Sequence, residues 1–214
     1  IAIAVLVFML VYLVPQFSSL FESNGAELPL LTKAVMAVSQ FIQNNWMILV
    51  VGIAAIIFVF YELFTHVQKF RETVQVILMH LPVFKDIIIY NEVANFTKTF
   101  ASLLRNNVFI TESIDILSKI TNNEIYKSIL FRTINNIVKG EKISEAFKDH
   151  WAVPDVAYFM IVTGESTGEL DNMMQKVSEY YQGLHRNVVN NLKAFIEPIL
   201  ISFLALVVGG IIIA

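Results

Sequence analysis

Gly164-Glu165-Ser166-Thr167-Gly168 fits the G-x-S-x-G pattern of a nucleophile elbow. An apolar run, Val156–Val162, precedes it and would have to be the strand beneath the serine. A hydrolase built this way needs a sheet under Ser166 and a histidine to take its proton. The four histidines, His66, His80, His150 and His185, stand in no recognisable acid–histidine context, and the surrounding sequence is helical. A corner between two helices accounts for more of these residues. Gly164 would end one helix where the backbone needs positive φ. Ser166 would N-cap the next, with Glu169 three residues on as in a capping box and Leu170 the first apolar residue of the new stripe. Gly168 would leave room for close helix approach. Anion binding at this corner is opposed by Glu165 and Glu169. No catalytic residue, metal site or cofactor is expected.

The elements around the corner follow from helical spacing of apolar residues. Val93, Phe96, Phe100, Leu103 and Leu104 make one stripe in Asn91–Asn106. Ile110, Ile114, Leu117 and Ile120 make a second. Ile125, Ile129, Ile134 and Ile137 make a third, which stops at Gly140, a natural C-cap. Ile143, Ala146 and Phe147 mark a short turn of helix, and Val153–Val162 another helix. A long last stripe runs from Leu170 through Met173, Val177, Tyr181 and Leu184 to Phe195. With Val67–Leu81 this makes about seven helices joined by short breaks, which favours antiparallel neighbours.

Charge is scarce, 15% against the ~25% usual in soluble domains, while 56% of residues are apolar. The mean hydropathy is +0.64. Three stretches concentrate it: Ile1–Val14, Trp46–Phe64 and Ile199–Ala214. Each reads as a transmembrane helix, the first and last as truncated ones, in a chain that reads as a fragment. Of 15 Lys and Arg, 14 lie in residues 66–193, beside an equal number of Asp and Glu. Basic loops stay on the cytoplasmic side, so 66–193 is expected to be a cytoplasmic helical bundle and 15–45 an outward loop with an amphipathic helix. The neutral balance of 66–193 excludes the basic stripe of a nucleic-acid binder. The absence of cysteine excludes disulfides and thiolate metal sites.

Several pieces in order resemble the polytopic platform proteins of type II secretion systems and type IV pili, the F/PilC family. They are Gly164-Glu165 with Thr167-Gly168-Glu169-Leu170, Val14-Pro15-Gln16-Phe17, Leu28-Pro29-Leu30-Leu31-Thr32, Leu81-Pro82, Phe100–Leu104, Gly140-Glu141 and Glu197-Pro198. The chain departs from the family at Asn106-Asn107, where a glycine is common, and near Phe109, where a proline is common. It departs again at Lys142, where a serine cap is usual, which weakens that helix start. The family's first cytoplasmic domain is expected to lie outside this sequence, which reads as a fragment.

The resemblance implies an all-α protein with transmembrane helices and a cytoplasmic antiparallel bundle, without enzymatic activity. It implies a prokaryotic inner-membrane platform linking a cytoplasmic secretion or pilus ATPase to pilin or pseudopilin subunits. Other inner-membrane assembly proteins, lipid and further copies of itself would be its partners. Gly140, Gly164, Glu165, Ser166, Gly168, Glu169, Leu170 and Pro198 are then structural motif residues, and Glu197, Pro15 and Pro29 candidate partner contacts. Pro198 should bend the last helix at the bilayer surface. A transporter or channel is the competing class, yet the visible spans carry no central charge.

Overall fold

The computed structural model describes residues 30–213. The expected first span, 1–14, and the expected contacts Pro15 and Pro29 lie outside the described residues. All described elements are helical, in the order α1 (Leu30–His66), α2 (Gln68–His80), α3 (Phe84–Arg105), α4 (Ile110–Ile120), α5 (Glu124–Val138), a 3-10 turn (Ile143–Ala146), α6 (Asp155–Thr167) and α7 (Leu170–Ile213). The chain divides into two units, one of which is Leu63–Leu192.

Within that unit the helical stripes meet in one core. Phe100, Ile114, Leu117, Ile129, Leu130, Met174, Val177 and Tyr181 are all no more than 2% exposed. Side chains of this size each contribute ~1.5–3 kcal/mol when fully buried. α2 packs on α3 and α5, α3 on α4, α4 on α5, and α5 on the 3-10 turn, which in turn meets α6. α7 joins through Ser178, whose buried hydroxyl donates to the Ala94 carbonyl of α3 at 3.0 Å. Tyr181 of α7 also stacks obliquely on Tyr90 of α3, with ring centroids 5.5 Å apart.

The breaks have local causes. Asn107 takes φ +59 between α3 and α4, so asparagine fills the left-handed position that glycine often occupies. Asn123 caps α5, its side-chain oxygen accepting from Ile125 N at 3.0 Å and Tyr126 N at 3.3 Å. Gly140, at φ +76, follows α5 and lets the chain turn back, with Glu141 N donating to Asn136 O at 2.9 Å. Beyond Pro82, Val83 holds φ +80, a conformation costly for a β-branched residue.

Outside that unit, α1 contains a kink at Asn45, where φ is −115° and ψ 16°. The Asn45 side chain donates to the Phe41 carbonyl at 3.0 Å and competes with the helical ladder there. The part before the kink contains the expected amphipathic stretch and is helical. From Gln43 to His66 the helix is long and apolar enough to cross a bilayer, with a mean hydropathy of 2.6. α7 is continuous for 44 residues, about 66 Å at ~1.5 Å per residue, and contains Pro198. Pro198 leaves the Ala194 carbonyl without its usual donor, but helix continues beyond it to Ile213.

Candidate functional site

The corner at 164–170 is built differently from the sequence expectation, and the difference exchanges the two glycines. α6 does not end at Gly164 but runs on to Thr167. Gly164 is a buried interior residue of that helix, and Gly168 is the residue with positive φ, at +75°. A Cβ on Gly164 would lie 3.0 Å from Leu170 Cα and 3.0 Å from Met173 Cβ, while one on Gly168 would meet nothing within 4 Å. Gly164 is therefore the close-approach residue and Gly168 the left-handed helix terminator. The reason is tertiary: α7 folds back across the last turn of α6, and only a residue without Cβ fits beneath Leu170.

Ser166 is not an N-cap. Its hydroxyl donates to the Thr163 carbonyl at 2.9 Å, inside the last turn of α6, and Thr167 does the same at 2.9 Å. The strand–turn–helix geometry of an elbow is absent at this serine, and among the described residues there is no strand. Glu169 precedes Leu170, the first residue of α7, so it stands at the cap position rather than three residues inside the helix. Its carbonyl accepts from Met173 N at 3.0 Å. Leu170 is 6% exposed and packs on the core.

Glu165 is the residue whose role the sequence concealed. Its Oε1 accepts from Ile143 N at 2.6 Å, and its Oε2 accepts from Ser144 N at 3.2 Å and Ser144 Oγ at 2.6 Å. These are the orphan donors at the start of the 3-10 turn. Lys142 precedes that turn and supplies no side-chain cap. The carboxylate thus arrives from α6, 21 and 22 residues beyond the groups it accepts from, and caps a different element. At the other end of the turn, Arg132 of α5 donates to the carbonyls of Ala146 at 2.7 Å and Glu145 at 3.3 Å. A carboxylate at the N-terminal end and a guanidinium at the C-terminal end match the polarity of even one helical turn. The buried Asn136 amide, oriented as its neighbours require, donates to Glu141 Oε2 and Arg132 O, each at 3.2 Å. Gly140, Arg132, Glu165 and the α6–α7 corner therefore form one connected cluster within the 63–192 unit. Arg132 and Ser144 gave no sequence signal. The missing local cap at Lys142 was the available clue, because those N–H groups had to find an acceptor elsewhere.

A second polar cluster holds α2 to α5. Glu124, with a side chain 5% exposed, pairs with Arg71 and accepts from Gln68 Nε2 at 3.0 Å. Gln75 accepts from Glu124 N at 2.8 Å and donates to Asn122 O at 3.2 Å. Beside it, Glu92 has its carboxyl raised above the usual range, first by burial, with a hydrogen bond to Asn123 partly opposing the shift. Among the described residues no group of three or more His, Asp and Glu is arranged to hold a metal ion. Glu197 and Pro198 are exposed on α7, away from both clusters in sequence.

The description "Type II secretion system (T2SS), protein F" matches residues 96–214, more than half of the chain, and this covers both Gly140 and the 164–170 corner. The chain belongs to this family. It is 33% identical over its whole length to the type IV pilus assembly protein PilC of Pseudomonas aeruginosa, of which it covers 57%. It is 32% identical over 212 residues to the PilC protein of Thermus thermophilus, covering 99% of this chain and 52% of that one. It is 29% identical over 195 residues to the type II secretion system protein F of Xanthomonas campestris, 91% of this chain and 48% of that one. The chain spans about half the length of the curated relatives it matches. For this family member, the connected cluster around Glu165 falls within the matched segment, whereas Arg71 and the start of α3 precede it.

Proposed function

We propose that the chain forms the 66–193 cytoplasmic bundle, with its flanking membrane helices, of an inner-membrane platform protein. In this reading the platform couples a cytoplasmic assembly ATPase to the addition of pilin or pseudopilin subunits, without chemistry of its own. Family membership supports the machine, and the names of the relatives supply both its pilus and its secretion forms. The single observation that carries the mechanical part is the continuity of α7. The same helix places Met174, Val177 and Tyr181 in the core and continues through the apolar run beyond Ile199 without a loop. A tilt of the bundle would then be transmitted along a rod whose starting direction is set by Glu165, Arg132 and Gly164.

Pro198 would place a compliant point in that rod. Glu197, Pro15 and Pro29 are the proposed contacts with pilin or with further copies of the chain, and lipid surrounds the apolar helices. The test is a flexible insertion, Gly-Gly-Ser-Gly after Leu192, in the full-length protein. The expected outcome is loss of pilus assembly or secretion with normal membrane levels. Assembly at the wild-type rate would remove the rod from the mechanism.

A further inference from the structure

One surface of the bundle has the chemistry of a cation-binding pocket. Its volume is about 540 Å³, and it is lined by the loop from Phe147 to Pro154 and by the first turns of α6. Trp151 is 44% exposed and Phe159 63% exposed, and Tyr158 lies 5.4 Å from Phe159 by ring centroids. Asp149 and Asp155 also line the pocket, and no lysine or arginine does. Neither carboxylate takes part in a salt bridge among the described residues.

The aromatic wall is held from behind. Phe147, Ala152 and Val153 of the same loop are buried. The Ala152 carbonyl accepts from the buried Tyr126 hydroxyl, Ala152 N donates to His150 Nδ1 at 3.2 Å, and Val153 N donates to His150 O at 2.8 Å. Burial, and then the nearby Arg132, pull the His150 imidazole below its usual range. His80 lies tilted against Trp151 at 4.5 Å and His150 stacks on it at 5.8 Å, which limits the positions the indole can take. A preorganised aromatic face beside two carboxylates attracts an ammonium or guanidinium group through both cation–π and ionic attraction.

We propose that this pocket receives a Lys or Arg side chain from a soluble protein partner. An anionic lipid surface is disfavoured by the two carboxylates. A second copy of the chain is the other protein that could offer such a side chain, and the cross-link below separates it from a different partner. The proposal is independent of the platform reading, since it concerns only the chemistry of whatever docks here.

The experiment replaces Phe159 with p-benzoyl-phenylalanine in the full-length protein in its own cells. Phe131, 50% exposed on α5, is the control position. Irradiation is expected to give a protein adduct at 159 and not at 131, with Lys or Arg within three or so residues of the cross-linked site. Asp149→Asn with Asp155→Asn should lower the yield about tenfold. Asn tolerates the φ of +51° at position 149, and membrane levels provide the folding control. If the double variant does not accumulate, Asp155→Asn alone is read, with about a threefold loss expected. The identified basic residue, changed to Glu, should recover its adduct when Asp155→Lys is introduced. An adduct unchanged by neutralisation, an adduct to lipid or to a second copy, or a yield no higher than at 131 would overturn the proposal.

Discussion

Glu124 and Glu165 are both carboxylates placed at the start of a helical element, yet they are held in different ways. Glu124 sits in the first turn of its own helix and meets a full positive charge, Arg71, as well as Gln68. Glu165 sits near the end of α6, caps another element, and is held by two backbone N–H groups and one hydroxyl. A carboxylate paired with a cation loses a great deal when the cation is removed, because a buried charge is left behind. A carboxylate held by neutral donors loses less, because amides can partly replace it. The first arrangement fastens α2, the helix that follows the apolar segment. The second orients the corner from which α7 departs.

The comparison is tested most severely by Arg71→Met. It leaves the nearly buried Glu124 without its cation and should cost about 3 kcal/mol, the lower end for a buried pair because Arg71 itself is 27% exposed. Urea unfolding of the detergent-solubilised protein would measure it, and a midpoint unchanged from wild type would show that Glu124 is satisfied without Arg71. Gly164→Ala should cost about 2 kcal/mol by overpacking against Leu170 and Met173. Gly168→Asn should cost only ~0.5 kcal/mol, since asparagine adopts positive φ. The reverse order of these two would return the glycines to the roles expected from sequence.

Glu165→Gln should cost about 1.5 kcal/mol, because one side-chain acceptor survives while an N–H₂ is turned toward donors. The same change should increase proteolysis of the 140–147 segment in a limited digest. The smallest effect belongs to Glu92→Gln. Burial raises the Glu92 carboxyl, so the folded state holds its proton more tightly than the unfolded chain does. Stability from this group is then fully present below the ordinary carboxylate pKa and declines as pH rises through the raised one. Glu92→Gln should therefore give a slightly higher urea midpoint near pH 7 and no gain near pH 4. An equal gain at both pH values would separate the effect from ionisation.

Much of the helical order was legible from spacing alone. The stripes predicted over Ile110–Ile120 and Glu124–Lys139 coincide with α4 and α5 to within a residue, and Gly140 follows α5 with positive φ as expected. Periodicity reports which face a helix buries, and the stop signals here are local. Three stripe positions are exposed, Ile110 at 40% in the first turn of α4 and two others for one shared reason. Phe195 is 70% exposed and Ile120 is 55% exposed, because a repeat continues along a helix beyond the point where another element packs on it.

The amino-acid sequence by itself determined that the protein is all-helical, where most helices begin and end, and which stretch is apolar enough for a bilayer. Those properties depend on neighbours within a few turns. Tertiary structure decided which glycine of the Gly164–Gly168 pair turns the chain and which one yields space, and that Glu165 serves the start of a distant 3-10 turn. Both outcomes depend on the approach of α7 and the 140–147 segment to α6, and the spacing of residues within one helix carries no information about what packs against it.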